Sequence, residues 1–479
     1  MYCQNRTLVT LFNELHDKHR MGKIVKINWF RKIVEKIYTD KVRLNILQAL
    51  PFWIGALITG LIAVLYAKLF SLAETFSMSV FQSAGWLFFI VTPFCFVSAW
   101  WIVKRFDENA AGSGIPQVMA AIELANPRYN YLVDKLLSVK AVFVKILSTL
   151  LMITGGAAIG REGPTVQIAA SIFRKVNQLL PASWPKVSKK NMIMTGAAAG
   201  LAAAFNTPLG GIVFAVEELA KTHISYFKTA LFTAVIIAGL TAQGILGPYL
   251  YLGYPEVSNT SGYLVFFVII VACVSGLGGS LMSVAILRLL AWKRRIKLKQ
   301  AQLLYVLACA FAVAFIACFF TPGILGSGKS EMSGLLFTAN KHAEWYMPFV
   351  RIFGCITAFT SGAAGGVFAP SLGIGATIGA LVAELFHFTA ANANILILSG
   401  MVAFLTGVTR SPFTSAILVL EMTDRHSVVF YLMLAGLAAG LIANLIDRHS
   451  FYDHLKVIYL NKAYQAETVK NKPPEEFTE

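Results

Sequence analysis

A pair of opposite charges stands between glycines and a proline in Gly160-Arg161-Glu162-Gly163-Pro164, inside an apolar stretch of the sequence. A helix that begins at this break would offer unpaired backbone N–H groups, which bind anions, and the Glu162 carboxylate would compete with the anion for them. Glu162 is therefore predicted to be a gate, with Gly160, Arg161, Gly163 and Pro164 supporting it. Protonation of the gate would couple proton and anion movement. The alternative is a structural contact between Arg161 and Glu162.

Two further glycine-rich breaks have the same character, Gly112-Ser113-Gly114-Ile115-Pro116 and Gly365-Gly366-Val367-Phe368-Ala369-Pro370. Each precedes an apolar helical segment and is expected to present amides and the positive end of a helix dipole. The three breaks together predict one site for a small anion. Amides and a hydroxyl would replace the water around this anion, without full positive charges that would hold it too tightly to leave.

The breaks recur in two halves of the chain, which indicates a duplicated unit. The matched positions are Gly156-Ala157-Ala158, Gly160 and Pro164 with Gly362-Ala363-Ala364, Gly366 and Pro370, and Pro208 and Glu217 with Pro412 and Glu421. Matched Gly/Pro interruptions of apolar segments predict discontinuous helices that meet at a substrate site near the middle of a bilayer.

The composition requires a membrane around these segments. Of the 479 residues, 57% are hydrophobic and only 14% are charged, whereas about a quarter of the residues in a soluble globular domain are charged. Several runs approach the roughly 20 apolar residues that a spanning helix needs. These runs lie at about 44–70, 82–103, 136–160, 192–219, 227–252, 262–292, 301–321, 394–420 and 427–447. Segments near 113–124, 164–180 and 367–386 are expected to be partial or tilted helices.

The formal net charge of +17 comes from basic residues outside the apolar runs, so it indicates a membrane orientation and not a nucleic-acid partner. The two basic clusters are Arg20, Lys23, Lys26, Arg31, Lys32, Lys36, Lys41 and Arg43, and Lys293, Arg294, Arg295, Lys297 and Lys299. The positive-inside rule puts both clusters in the cytoplasm.

The predicted organisation has four parts, with both termini cytoplasmic. A basic arm over residues 1–43 contains an amphipathic helix near Ile24–Tyr38 that would lie on the membrane surface. A first membrane repeat covers 44–252 and a second covers 262–447. The remaining tail, 448–479, is too short for a regulatory domain with its own core.

Three other patterns in the sequence bear on possible chemistry. The cysteines within apolar runs lack paired spacing and the histidines are scattered, so neither a disulfide framework nor a metal site is predicted. Gly323–Ser330 fits the phosphate-binding loop pattern, but it follows an apolar run and no α/β domain surrounds it, so a connection between helices is expected and no nucleotide. Paired metal ligands, a Ser-His arrangement and a catalytic histidine are all lacking, which argues against an enzyme.

Glu217 and Glu218 follow the apolar run 211–216. Adjacent residues on a helix point roughly 100° apart, so at most one of these carboxylates is expected to face a cavity on a proton route from Glu162. Alternatively, both lie at the membrane interface.

In order and spacing, the breaks GSGIP, GREGP and GGVFAP resemble those of the CLC chloride channel and transporter family. The likeness runs from about residue 45 to 455 and includes 204–209 and 420–424. It implies an all-α membrane protein with tilted and discontinuous helices in an inverted repeat. It also implies a homodimer with one independent anion pathway in each subunit.

The resemblance further implies roles for individual residues. Ser113 and Tyr452 resemble the two hydroxyl donors to the central anion, and the N–H groups of Val367 and Phe368 resemble its backbone ligands. A serine at this position, together with the tyrosine, favours chloride as the anion. Cofactors are not expected.

Glu162 resembles the gating glutamate of the family, and Glu218 resembles the internal proton-transfer glutamate that channel members usually lack. The resemblance therefore favours chloride/proton exchange over the alternative, a gated passive chloride channel of the same fold. Gln117 departs from the family pattern, where many relatives carry an acidic residue. The short tail is similar to prokaryotic members, which favours a bacterial inner membrane.

Overall fold

A computed structural model describes residues 40–470, except 127, 182, 186, 221–227, 248–249, 258–261 and 339–340. The predicted amphipathic helix and most of the basic arm lie outside the described residues. Within these residues the chain is helical, and its only β-type pairing consists of two isolated bridges.

The helices of the first half are α1 (Asp40–Ser83), α2 (Phe88–Phe106), α3 (Ile115–Glu123), α4 (Asn130–Leu136), α5 (Val139–Thr154), α6 (Glu162–Gln178), α7 (Lys189–Phe205), α8 (Pro208–Phe214) and α9 (Lys228–Leu246). Those of the second half are α10 (Gly262–Arg295), α11 (Lys299–Phe319), α12 (Lys329–Phe337), α13 (Met347–Thr360), α14 (Phe368–Leu385), α15 (Ala390–Thr409), α16 (Pro412–Thr423), α17 (Val429–Ile446) and α18 (Phe451–Lys470). A π-helical turn, Ala215–Ala220, directly follows α8.

Among the described residues, nine helical segments are long and apolar enough to cross a membrane. They are Ile46–Ser83, Gly85–Phe106, Asn130–Thr154, Lys228–Leu246, Gly262–Arg295, Lys299–Phe319, Phe368–Leu385, Ala390–Thr409 and His426–Ile446. The all-α membrane fold is confirmed, and the chain is a multi-pass integral membrane protein.

Two of the predicted continuous runs were wrong. The run 192–219 breaks at Asn206, directly after α7, and 394–420 breaks at Arg410, directly after α15. Both residues adopt left-handed backbone angles, with φ of 58° and 62°. A proline begins the next helix in each case, because it fits the first helical position and cannot continue the helix before it. The segment Phe368–Leu385, expected to be partial, is long enough to span.

Helix packing in the interior depends on glycine. A Cβ added to Gly375 on α14 would collide with the carbonyl of Gly400 on α15, and one added to Gly379 would collide with the carbonyl of Leu396. In a membrane the hydrophobic effect does not drive helices together, because lipid is as apolar as their side chains. Small residues at the crossings let the helix backbones approach closely, so that van der Waals packing can hold them. The α14/α15 pair therefore forms a rigid base for the segment that precedes α14.

The two halves exchange caps. The Glu217 carboxylate accepts hydrogen bonds from the N–H groups of Phe413 (3.2 Å) and Thr414 (2.7 Å) at the start of α16. Glu421, on α16, accepts from Leu209 (3.0 Å) and from Gly210 (2.7 Å) at the start of α8. Each carboxylate satisfies two of the donors that a helix leaves unpaired at its first turn.

Compactness divides the chain into two units. Among the described residues, the smaller unit takes 40–50 and 183–185, and within it the Trp184 indole donates to the Leu47 carbonyl (2.9 Å). The larger unit takes 51–182 and 187–479 and contains all the site residues described below. The predicted repeat boundaries stay a prediction.

Candidate functional site

Three glycine-rich loops meet through backbone hydrogen bonds. Gly160 and Gly366 exchange two N–H to carbonyl hydrogen bonds, each of 2.8 Å. Gly112 donates to the Ala363 carbonyl (2.9 Å), and Gly365 donates to the Gly112 carbonyl (3.1 Å). The structure thus brings together the three breaks that the sequence analysis assigned to one site. The helices α3, α6 and α14 begin at this junction, so the amides of three first turns lie close together.

Two buried hydroxyl groups face each other beside this junction. Ser113 and Tyr452 are 1% and 0% exposed, and neither hydroxyl has a hydrogen-bond partner within the described part of the chain. The Ser113 side chain is nevertheless the polar neighbour of the Tyr452 hydroxyl. A buried donor without a partner lowers the free energy of unfolding by about 1–3 kcal/mol. Two such donors side by side therefore indicate a position where a bound ligand accepts their hydrogen bonds.

Val367 and Phe368 complete one side of this position. They stand at the beginning of α14, where helix geometry leaves their N–H groups without an acceptor inside the helix. The Phe368 ring stacks on the Tyr452 ring with 6.1 Å between centroids and 16° between planes. This stacking holds the Tyr452 ring at the start of α14, although the helix that carries Tyr452, α18, is far from α14 in the sequence.

The Glu162 side chain is buried against the same helix start. It is 1% exposed, its carboxylate lies near the backbone amides of Glu162 itself and of Ala369, and its Oε2 atom has no hydrogen-bond partner among the described residues. A Cβ added to Gly160 would occupy the place of the Glu162 carboxylate. Glycine at position 160 is therefore required for the carboxylate to sit on the amides of α14.

The neighbours of Glu162 shape this position. The Arg161 guanidinium donates to the Ala67 carbonyl (2.8 Å), and no ion pair joins Arg161 to Glu162 in the described chain, so the structural-contact alternative is not what the geometry shows. Gly163 lies against the Ser113 hydroxyl, where any side chain would collide. The Pro164 ring packs against Gly366.

Both members of the acidic pair after α8 reach the start of α16. Glu218 is 5% exposed and accepts a hydrogen bond of 2.5 Å from the Ser411 hydroxyl, whereas Glu217 caps α16. The π-helical turn places the two carboxylates on neighbouring residues of that helix start, and such turns are frequent at functional sites. Glu218 also acts electrostatically on the Tyr452 hydroxyl, as Glu162 does, so both carboxylates belong to the surroundings of the hydroxyl pair.

The sequence analysis missed one residue that contacts the site loops. Lys145 on α5 is 0% exposed, and its ammonium group donates to the Gly112 carbonyl (3.0 Å), next to Ser113. A charge in the middle of the apolar stretch 141–160 was the signal that could have identified it. Gln117, the predicted departure, is also buried, and its amide donates to the carbonyls of Asn109 (3.0 Å) and Ala111 (2.7 Å).

A cavity of about 240 Å³ leads to the gate position. Glu162 and Arg161 line it together with Lys68, Glu74, Ser327 and Lys329. Within the described residues, no cluster of three or more His, Cys, Asp or Glu side chains could hold a metal ion. The segment 323–330, which fits the phosphate-loop pattern, connects α11 to α12 as expected.

The chain belongs to the voltage gated chloride channel family, since that family's model matches residues 94–444. Among curated proteins, an H(+)/Cl(−) exchange transporter ClcA of Salmonella arizonae is 28% identical over 472 residues, covering 94% of this chain and 96% of that protein. A protein of the same name from Klebsiella pneumoniae is 26% identical, covering 96% of this chain and 98% of that protein.

Solved structures share the fold. A slow cyanobacterial Cl−/H+ antiporter superposes with a TM-score of 0.75 at 22% identity, over 87% of this chain and 98% of that one. A eukaryotic CLC transporter gives a TM-score of 0.70 at 21% identity, over 86% of this chain and 75% of that one. The predicted CLC-type fold is therefore confirmed.

Proposed function

We propose that this protein moves chloride across a membrane in exchange for protons and that Glu162 gates the anion site. One observation carries the proposal: the Ser113 and Tyr452 hydroxyls are buried close together, and neither makes a hydrogen bond of normal geometry in the described chain. Chloride between them would accept both hydrogen bonds and would lie near the amides of Val367 and Phe368. Hydroxyls and amides stabilise a dehydrated anion without trapping it.

The gate follows from competition for amides. The carboxylate of Glu162 lies at the Ala369 amide in the first turn of α14, and an anion that passes this point would need the amides of that turn as donors. A protonated Glu162 no longer competes as an anion, so chloride takes its place. Glu162 therefore takes up a proton each time it leaves the site to chloride, and this couples proton movement to chloride movement.

Glu218 supports exchange over a passive channel. It is a buried carboxylate that acts electrostatically on the Tyr452 hydroxyl, and the Ser411 hydroxyl donates a hydrogen bond to it. The proposed role is to pass protons between the inner solution and Glu162. The relatives named as H(+)/Cl(−) exchange transporters favour the same conclusion. In the alternative, a gated chloride channel, Glu162 would open the pore without proton exchange.

The remaining parts of the proposal follow from the family resemblance and the basic clusters. The protein would be a homodimer in a bacterial inner membrane, with one pathway in each subunit and both termini in the cytoplasm. Its substrates would be chloride and protons, and it would be a transporter without enzymatic activity, cofactor, nucleotide or nucleic acid. The cavity at Glu162 would then be the external mouth.

Proton movement in liposomes tests the proposal. Purified protein is reconstituted with a chloride gradient, valinomycin and potassium fix the voltage, and no pH gradient is imposed. Chloride is expected to drive protons uphill, and Glu162→Gln is expected to keep chloride flux and lose proton movement. A matched control is Glu123→Gln, which neutralises a half-exposed acid paired with Lys456 (3.2 Å). Chloride flux without proton movement in the unmodified protein would make it a channel, and no chloride flux at all would exclude both mechanisms.

A further inference from the structure

The anion-site loop has a structural duplicate that the proposed function does not use. Gly112-Ser113-Gly114 recurs as Gly326-Ser327-Gly328. In both loops the two glycines adopt left-handed backbone angles, with φ of 63° and 105° in the first and 74° and 90° in the second. Each loop is followed at once by a helix of nine residues, α3 or α12. The second loop therefore presents the same backbone shape and the same helix start.

A buried basic side chain from a later helix, α5 or α13, lies against each loop. Lys145 donates to the Gly112 carbonyl, and Arg351, 206 positions downstream, donates to the Gly323 carbonyl (2.6 Å) and packs against Gly328. Arg351 is 2% exposed, and its Nε and Nη2 atoms have no hydrogen-bond partner in the chain as described. An unpaired guanidinium edge this deeply buried indicates a site for negative charge.

The second loop already holds a carboxylate. Glu74 on α1 accepts a hydrogen bond of 2.6 Å from the Ser327 N–H. A Cβ added to Gly326 would lie 2.8 Å from Glu74 Oε1, so glycine is needed here for the carboxylate to approach the loop. Glu74 and Ser327 line the cavity that leads to Glu162, together with Lys329.

We propose that the loop Gly326–Gly328 is a second binding site for a small inorganic anion and that Glu74 is its built-in competitor. The arrangement resembles that of Glu162, because a carboxylate lies at a backbone amide beside a helix start at the same cavity. When Glu74 turns away, a halide would take the Ser327 amide, with Lys329 and the Arg351 guanidinium supplying positive charge. Its contribution to transport rests on the proposed function, whereas binding at the loop does not.

Anomalous diffraction from crystals grown in bromide tests the site directly. In Glu74→Ala, a bromide peak is expected next to the Ser327 N–H, and in the unmodified protein Glu74 is expected to keep that position empty. A peak between Ser113 and Tyr452 is the internal reference and reports on the proposed function separately. If Glu74→Ala shows the reference peak and none at Ser327, the second site is refuted. A peak at Ser327 without the reference peak would support the second site and contradict the proposed anion site.

A transport measurement with Glu74→Gln covers the case in which the alanine variant does not fold, because glutamine keeps the size of the side chain. Removing one negative charge about 4 Å from the anion is expected to lower the half-saturating chloride concentration about fivefold, even with water-like screening. The matched control is Glu344→Gln, an acid 3.4 Å from His342 that does not line the cavity. An unchanged half-saturating concentration in Glu74→Gln would refute the competitor role.

Discussion

Removal of the Tyr452 hydroxyl should weaken chloride binding and stabilise the chloride-free protein at the same time. In Tyr452→Phe the ring keeps its stack on Phe368, so packing in the core is preserved. The hydroxyl lies near Ser113 but makes no hydrogen bond of normal geometry in the described residues, so its removal breaks no such bond within the protein. The two effects separate an anion ligand from a structural tyrosine, because loss of a structural hydrogen bond would destabilise the protein.

The size of each effect follows from the burial of the hydroxyl. A hydrogen bond to a charged group contributes about 1.5–3 kcal/mol, and each 1.4 kcal/mol is tenfold in affinity, so chloride should bind roughly 10- to 150-fold more weakly. A buried donor left unsatisfied costs about 1–3 kcal/mol, and its removal should raise the stability without chloride by a similar amount. At a fixed high chloride concentration, bound chloride raises the free energy of unfolding in proportion to the logarithm of its affinity. Because Tyr452→Phe should bind chloride more weakly, chloride should raise its Tm by less than it raises the Tm of the unmodified protein.

Calorimetric titration of chloride and thermal unfolding with and without chloride measure both quantities in detergent. Tyr459→Phe, on the same helix, is the control and should leave the affinity unchanged. Equal chloride affinity in Tyr452→Phe and the unmodified protein would refute the assignment of the hydroxyl pair. Lower stability of Tyr452→Phe in chloride-free buffer would refute the claim that the hydroxyl is unsatisfied.

Further changes test other parts of the site. Gly163→Ala places a methyl group on the Ser113 hydroxyl and should abolish chloride binding, measured by calorimetric titration. Gly334→Ala, which has open space around it, is the control and should bind chloride normally. Normal chloride binding by Gly163→Ala would contradict the close contact between Gly163 and Ser113. Glu218→Gln should keep chloride flux and lose chloride-driven proton movement in liposomes, and intact coupling would remove it from the proton route. Glu421→Gln weakens the cap of α8 and should lower the free energy of unfolding by about 1–2 kcal/mol, and Glu217→Gln should lower it by a similar amount through the cap of α16. An unchanged free energy of unfolding in both variants would show that the caps do not stabilise the protein.

The sequence was sufficient to predict that the glycine-rich breaks meet. Glycine and proline limit the backbone locally, and the breaks recur in both halves, so their position could be inferred without side-chain detail. The ends of α7 and α15 were also visible as Asn206-Thr207-Pro208 and Arg410-Ser411-Pro412. They were missed because the apolar runs around them were counted as continuous.

Contacts between distant segments could not be predicted from the sequence. Nothing local shows that Glu217 reaches α16 or that Glu74 reaches Ser327, because each contact depends on how helices from different parts of the chain cross. Lys145 and Arg351 were readable only as isolated charges in apolar segments. Their function of supporting two matching loops required the positions of those loops.

The exchanged caps bear on how such a chain could have arisen. Glu217 completes the first turn of α16 and Glu421 completes that of α8, so neither half contains the cap of its own helix. A single ancestral unit would have had a bare helix start and a spare glutamate. Two copies of it would have supplied each other's missing cap, and the joining of their genes would then have made permanent an association that had been between separate molecules.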